Sequence, residues 1–352
     1  MTTQAAPVHP PDGAGAAGRP LTDSAPVESA SASGLTEDAA DALASVAGRA
    51  KKASSGKDIA DKERSGKASK DSSGKDHKRH KKKAVEAPML GGIPVIADLD
   101  RAELFLGQRT GDIGLVHSWE LVTAVDGPGT RMTIFFAGCP LRCLYCHNPD
   151  TMSTRHGLAV RSTDLLERIR RYRKVFKATK GGITLSGGEV LAQPAFAAQV
   201  LRGAKELGIH TALDTSGYLG RNATDAMLDD VDLVLLDVKA GDEATYERVT
   251  GRTLAPTLEF GRRLAKAGIE LWVRFVLVPG LTDDPAHIEL IADYAAELPT
   301  LTRVEVLPFH QMGRSKWAEL GIPYRLEDTQ PPSQDLVQRT RDIFTARGLP
   351  TF

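Results

Sequence analysis

The sequence predicts an α/β protein: a parallel sheet of about six strand–helix units, preceded by a long tail outside the fold. Three observations carry this. From Arg131 onward, short apolar runs alternate with stretches of helical spacing. Polar and glycine-rich clusters recur at the C-terminal ends of the apolar runs. Before Phe105 there is no Phe, Tyr or Trp at all. Repeated strand–helix units give parallel sheets with right-handed crossovers. Six units are too few for an eight-stranded barrel. An open or partial barrel is the natural arrangement, and the pattern alone leaves a doubly wound sheet open.

The predicted strands are Met132–Phe136, Gly182–Leu185, Thr211–Asp214, Leu233–Val238, Leu271–Val278 and Arg303–Pro308. They read as near-continuous Val, Ile and Leu, which suggests burial on both faces. Between them, TDLLERIRRYRKVF has helical spacing, with Thr163 or Ser162 as N-cap. PAFAAQVLRGAKELG has Pro194 suited to a first turn and Gly208 to a C-terminal stop. TLEFGRRLAKAG and PAHIELIADYAAEL follow the same logic. The strand ends carry Ser186-Gly187-Gly188-Glu189, Asp214-Thr215-Ser216, Asp237-Val238-Lys239, Arg274 and His310. In parallel α/β architectures that edge binds ligands.

Residues 1–106 are expected to be a disordered tail and residues 107–352 the folded domain, with order setting in near Gly111. The tail is rich in Ala, Ser, Gly and Lys. Such a segment buries too little apolar surface to offset its ordering entropy. Its basic run, Lys78 to Lys83, reads as a solvated linker. The chain has 45 basic and 45 acidic residues. This balance gives no sign of a nucleic-acid binder. No signal peptide or membrane-length apolar run is visible, which points to a cytoplasmic protein without a membrane contact.

All 3 cysteines lie in one loop, FFAGCPLRCLYCHNPD, at Cys139, Cys143 and Cys146. An odd number would leave one thiol over from any disulfide, so metal binding or thiol redox chemistry is the better expectation. Zinc would want a fourth ligand, and His147 is present, but adjacent residues rarely both reach one small ion. A [4Fe–4S] cube takes four ligands, usually all Cys. With three, one iron is left open to a bound molecule.

CxxxCxxC with an aromatic before the last cysteine (Tyr145) resembles the motif of the radical S-adenosylmethionine (SAM) superfamily. The blocks VDGPGTR, FFAGCPLRCLYCHNPDT, GGITLSGGEV, HTALDTSG, LVLLDVK, VRFVLVPG, VLPFHQMGRSKW and Pro331–Pro332 are similar, in order, to those of the pyruvate formate-lyase activating enzymes. The resemblance covers nearly all of residues 111–352. It implies a partial (β/α)6 barrel of the radical SAM type. It also implies an activase that cleaves SAM reductively at a [4Fe–4S] cluster and leaves a glycyl radical on pyruvate formate-lyase. Cys139, Cys143 and Cys146 would ligate the cluster. Tyr145, Cys146, His147, Gly187, Gly188, Glu189, Asp237, Val238, Lys239 and His310 would contact SAM. Asp214, Thr215 and Asp237 would hold a monovalent cation, with Leu235 contributing only main chain. Asp126 and Arg274 would face the substrate protein. Reduced flavodoxin or ferredoxin would supply electrons, and the family suggests a monomer.

Activases of other glycyl-radical enzymes commonly insert a cysteine-rich module after this loop. Here His147-Asn148-Pro149-Asp150 leads straight on, and no further cysteine follows. Two rivals remain: an activase for another glycyl-radical enzyme, and a non-catalytic iron–sulfur or zinc protein. The latter has no use for GGE, DTSG or PFH at the strand ends.

Overall fold

The computed structural model describes residues 88–123 and 125–352. The chain enters through a small hairpin, β1 (Met89–Leu90) and β2 (Ile93–Pro94), and helix α1 (Arg101–Thr110). The antiparallel strand β3 (Ile113–Thr123) leads to β4 (Thr130–Phe136), and β5 (Leu158–Arg161) follows the cysteine loop. Then come α2 (Ser162–Arg170), α3 (Arg173–Thr179), β6 (Gly182–Gly187), α4 (Pro194–Glu206), β7 (His210–Thr215), α5 (Asp225–Leu228) and β8 (Leu233–Asp237). The remainder is α6 (Glu243–Thr250), α7 (Ala255–Lys266), β9 (Glu270–Leu277), α8 (Pro285–Ala296), β10 (Leu301–Pro308), α9 (Arg314–Glu319) and α10 (Gln334–Thr345).

The sheet has eight strands in the order β10-β9-β8-β7-β6-β4-β3-β5. The six predicted strands are all present, all parallel, and neighbours in the sheet are neighbours in that series. A doubly wound sheet reverses its strand order at a switch point; the six parallel strands here do not reverse. The sheet is also strongly curled. Four strand spacings separate β9 from β4, about 19 Å if the sheet were flat. Yet Arg274 on β9 lies 3.7 Å from Asp126, which is bonded by Thr133 of β4. Only a partial barrel brings these together.

Strand faces follow a period of two. Leu213, Val234, Leu236, Val273, Phe275, Val304 and Val306 point outward into the main core under the helices. Ala212, Leu233, Leu235 and Trp272 form a separate small cluster on the inner face. Above it the inner positions turn polar: Ser186, Asp214, Asp237, Arg274 and Glu305. The expectation of apolar burial on both faces therefore holds only for the lower parts of β7, β8 and β9. Both edges of the sheet are covered. Val304 and Val306 bond to the main chain of Pro350 and Phe352, and Ile96 bonds to Ala159 beside β5. Covered edges do not recruit other strands.

Helix ends partly follow the predicted signals. Pro194 opens α4. Gly208, with φ 65°, closes it by two backward bonds, Gly208 N–H to Lys205 O and Ile209 N–H to Ala204 O, a Schellman stop. The N-cap expected at Thr163 or Ser162 is not formed: Ser162 is already helical, and the cap position is Arg161, without a side-chain bond. The expected single helix also breaks at Tyr172. There the ring packs on Trp119, at 5.9 Å between centroids, and on Phe176, so tertiary packing overrides the helical spacing.

The folded chain begins earlier than Gly111. Residues 88–106, placed in the tail by the sequence reading, contain the hairpin and most of α1. That helix opens with a reciprocal capping box between Asp100 and Glu103. The rest of the expected tail, residues 1–87 with its basic run, lies outside the described residues. Among the described residues no helix is long and apolar enough to cross a membrane.

Candidate radical SAM site

The cysteine loop leaves the C-terminal end of β4 and is fastened along its length. Gly138 and Cys139 donate to Thr151 and Met152, while Arg142 and Leu144 donate to Thr250 and Val249 at the end of α6. The Arg142 guanidinium reaches the Cys139 and Leu141 carbonyls, both at 2.7 Å. Trp317 donates its indole N–H to the Cys146 carbonyl at 2.9 Å. Gly313 of the following segment approaches the His147 main chain so closely that a Cβ would sit 2.9 Å from its Cα.

The three thiols are free and mostly enclosed. Burial pushes all three up, Cys143 to about 12 and Cys139 further, with Glu189 adding to the effect at Cys139. Redox-active cysteines need the opposite, a depressed thiol. Thiols of this kind become thiolates when a metal group supplies the compensating charge. Among the described residues, no three His, Cys, Asp or Glu side chains are grouped tightly enough to hold one metal ion. A mononuclear zinc site needs every donor within roughly 2.0–2.3 Å of one point. A cube binds each thiolate to a different iron, so it suits thiols spread along a loop. Three enclosed thiols in one loop fit such a cluster.

Around the loop stand most of the other expected residues. His147 and His310 stack with centroids 3.8 Å apart. Burial, and then the neighbouring His310, hold His147 down at about 4. Lys239 lies over the Tyr145 ring at 5.9 Å and pairs with Asp237 at 2.6 Å. Burial alone would lower Lys239, but Asp237, Tyr145 and Cys143 outweigh it and hold the ammonium well above its ordinary value. The Tyr145 hydroxyl and His147 Nε2 are buried without a hydrogen-bond partner among the described residues. Unpaired buried polar atoms are uncommon, and these two fit a polar ligand lying against the loop.

Four of the expected contact groups also have partners within the protein. Glu189, expected to reach SAM, has a carboxylate that accepts four hydrogen bonds within the protein. Oε1 accepts from Leu191 N–H and the Thr215 hydroxyl; Oε2 accepts from Ser216 N–H and the Ser216 hydroxyl. Four donors fill its acceptor capacity. Val238, expected to contact the ligand, has its side chain in the core and its N–H bonded to Arg274 O. Gly187 and Gly188 were expected to let the backbone approach SAM. Gly187, at φ +118°, also makes room for β4: a Cβ would lie 2.1 Å from Phe136 N. A Cβ on Gly188 would lie 2.5 Å from Gly138 O, against the cysteine loop. Finally, Asp214, Thr215 and Asp237, expected to hold a cation, each have a partner within the protein. Asp214 is bonded by Ser186 at 2.6 Å and Arg274 at 3.2 Å, Thr215 by its hydroxyl to Glu189, and Asp237 to Lys239.

Sequence reasoning missed Glu305. It completes a buried network in which Arg274 meets Asp214 at 3.2 Å, Glu305 at 3.4 Å and Asp126 at 3.7 Å. A glutamate alternating with valines in VEV was the available signal. It also missed Arg131, which is completely buried below. Its guanidinium donates to the Thr184 hydroxyl at 2.6 Å and to the Pro128 and Ile183 carbonyls, sealing the bottom of the barrel.

Burial pushes Asp214 up from 3.8 to about 6; Arg274 pulls it down, while Asp237 and Asp126 push it further up. A carboxyl whose folded value is raised stabilises the fold fully below its unfolded value. That contribution is lost as pH rises through about 6. Urea midpoints at pH 4.5 and pH 7 should therefore differ less in Asp214→Asn than in the parent, and equal differences would contradict this ordering.

Residues 133–291 match the radical SAM superfamily. The chain is 38% identical over 238 residues to the pyruvate formate-lyase 1-activating enzyme of Escherichia coli (strain K12), covering 67% of this chain and 97% of that protein. It is 41% identical over 218 residues to the pyruvate formate-lyase-activating enzyme of Clostridium pasteurianum, covering 62% and 91%. Among solved structures, a domain of a pyruvate-formate lyase-activating enzyme from Bacteroides vulgatus ATCC 8482 is similar at 28% identity and a TM-score of 0.42, covering 49% of this chain and 98% of that one.

Proposed function

The chain belongs to the pyruvate formate-lyase-activating enzymes of the radical SAM superfamily, and from that premise we propose that it installs the glycyl radical of pyruvate formate-lyase. The observation that carries this is the convergence on one barrel mouth: three enclosed thiols in a pinned loop, two unpaired buried polar atoms, and a histidine stack opposite a buried lysine–aspartate pair. Cys139, Cys143 and Cys146 would hold a [4Fe–4S] cluster. When bound, it supplies the electron that splits SAM into methionine and a 5′-deoxyadenosyl radical, which takes a hydrogen from a glycine of the partner.

The residues of this chain bind and orient. The stacked imidazoles of His147 and His310 are held in the neutral form and offer flat faces to an adenine. Lys239 offers a fixed cation to the SAM carboxylate once Asp237 shares it. Four carboxylates, Asp126, Asp214, Asp237 and Glu305, face two buried cations, Arg274 and Lys239. That negative surplus suits the sulfonium of SAM. Asp126 and Arg274 lie on the lumen wall, where a peptide loop would enter. The charged groups of the wall are held against one another as ion pairs, so a radical formed there meets preorganised groups. We assign the electron supply to a reduced flavodoxin or ferredoxin, and we take the protein as a cytoplasmic monomer.

The test is anaerobic. The protein is reconstituted with iron and sulfide, reduced with dithionite and given SAM, with and without pyruvate formate-lyase. Expected are 5′-deoxyadenosine and a glycyl-radical signal in electron paramagnetic resonance. Deoxyadenosine without that signal would assign the protein to another glycyl-radical enzyme. Neither product from a cluster-loaded protein would refute the reading.

A further inference from the structure

The outer side of the cysteine loop is not featureless. A groove of about 600 Å³ runs between the loop, the end of α6 and the segment around α9. Its floor is apolar: Leu144, Pro149, Met152 and Trp317. Its rim carries Arg142, Arg248 and Arg325, all exposed, against a single acid, Glu247. Some exposed arginines elsewhere are paired, such as Arg170 with Glu167, Arg262 with Glu297 and Arg314 with Glu327. Among the described residues, none of the three rim arginines has a carboxylate within ion-pair distance. On a chain of zero net charge, this is a local surplus of positive charge.

The groove differs from the lumen, since none of Asp126, Asp214, Asp237, Arg274 or His310 lines it. It is nonetheless in direct touch with the thiol loop. Arg142 and Trp317 bond to the carbonyls of Cys139 and Cys146, and Leu144 lies between Cys143 and Cys146. From this surface one hydrogen bond leads into the main chain of the thiol-bearing residues. A partner seated here faces the cluster from behind and leaves the lumen open for SAM and the glycine peptide.

We infer that this groove is the docking surface for an acidic protein that carries a one-electron centre. The inference rests on the function proposed above and gives that site its electron entry. One electron leaves the carrier, which is oxidised, and enters the iron–sulfur group at the cysteines, which is reduced. No atom or proton has to move with it. The apolar floor supplies contact area, and the arginine rim selects an acidic partner and speeds the encounter.

The experiment measures binding. Cluster-loaded, full-length protein is titrated with an acidic flavodoxin carrying its flavin, at low and at raised ionic strength. The double reversal Arg248→Glu/Arg325→Glu is expected to weaken this binding about tenfold or more and to flatten its salt dependence. Arg142 is left intact because it fastens the loop. A remote reversal, Arg221→Glu/Arg339→Glu, is the control and should bind like the parent. Equal weakening by both pairs, or by neither, would overturn the inference. So would a groove reversal that weakened pyruvate formate-lyase binding instead of flavodoxin binding. Dithionite-driven deoxyadenosine formation by the parent protein separates the two levels. With that product and unchanged flavodoxin affinity in the groove variant, the docking surface fails and the proposed function stands. Without that product, the proposed function fails and the electron entry fails with it.

Discussion

Cys143→Ala is expected to give a folded protein that holds no cluster and forms no 5′-deoxyadenosine. The two consequences separate because the loop is fastened by its main chain. Arg142 and Leu144 on either side of Cys143 are bonded to Thr250 and Val249, and Cys143 O accepts from Cys146 N–H. None of these bonds uses the thiol. The side chain is 9% exposed and packs with Leu141, Tyr145 and Phe309, so its loss should cost about 1 kcal/mol of stability. Loss of an outer partner of a metal ligand costs roughly 10–100-fold in metal affinity or activity. Loss of a ligand itself should exceed that. Iron content, visible absorbance and deoxyadenosine yield after reconstitution check the chemistry, and a urea titration checks the fold. A variant that keeps its iron and its yield would remove the cluster assignment.

The second large effect is expected at Glu189, and there it is structural. This carboxylate is 1% exposed and joins the turn after β6 to the loop after β7 through four donors. Glu189→Ala leaves two hydroxyls and two N–H groups without their acceptor. At 1–3 kcal/mol for a buried unsatisfied group, partly relieved by entering water, the loss should be roughly 3–5 kcal/mol. Glu189→Gln keeps the shape but turns one acceptor into a donor facing donors, and should lose about 2 kcal/mol. Urea midpoints give the order parent, Gln, Ala. If Glu189 were a ligand contact alone, both variants would unfold like the parent, and only their affinity for SAM would fall.

The comparison of these two sites shows what the sequence makes legible. Three cysteines in one loop are a chemical statement in themselves, and spacing was enough to place them at one strand end. The parallel strands were legible because their outward faces are regular runs of Val, Ile and Leu. What spacing does not reveal is where a polar side chain at a strand end turns. Glu189, in a motif associated with ligand contact, turns sideways to a neighbouring loop, because Thr215 and Ser216 present hydroxyls at the right distance. Asp214 turns to Ser186 and Arg274 for the same kind of reason. Those choices depend on the curl of the sheet, which joins residues up to four strands apart.

The edges were less legible than the centre. Strand β3 and helix α1 fall outside the strand–helix rhythm, because β3 and β4 meet through the short GPG-containing connection and no helix separates them. The alternation in Ile113–Thr123 and the Asp100–Glu103 capping box were both readable. They were overshadowed by the composition of the segment before them. The break at Tyr172 had no local signal at all. Its cause is Trp119, 53 positions earlier, and only the tertiary contact makes it visible.

The fastening of the cysteine loop has a consequence for maintenance. A cluster with an iron open to ligands is readily destroyed by oxygen. In many metal-dependent folds, loss of the metal is loss of the structure. Here the Gly138–Thr151, Cys139–Met152, Arg142–Thr250 and Leu144–Val249 bonds hold the loop without any help from iron. None of these bonds uses a thiol, so reconstitution with iron and sulfide should need no refolding step.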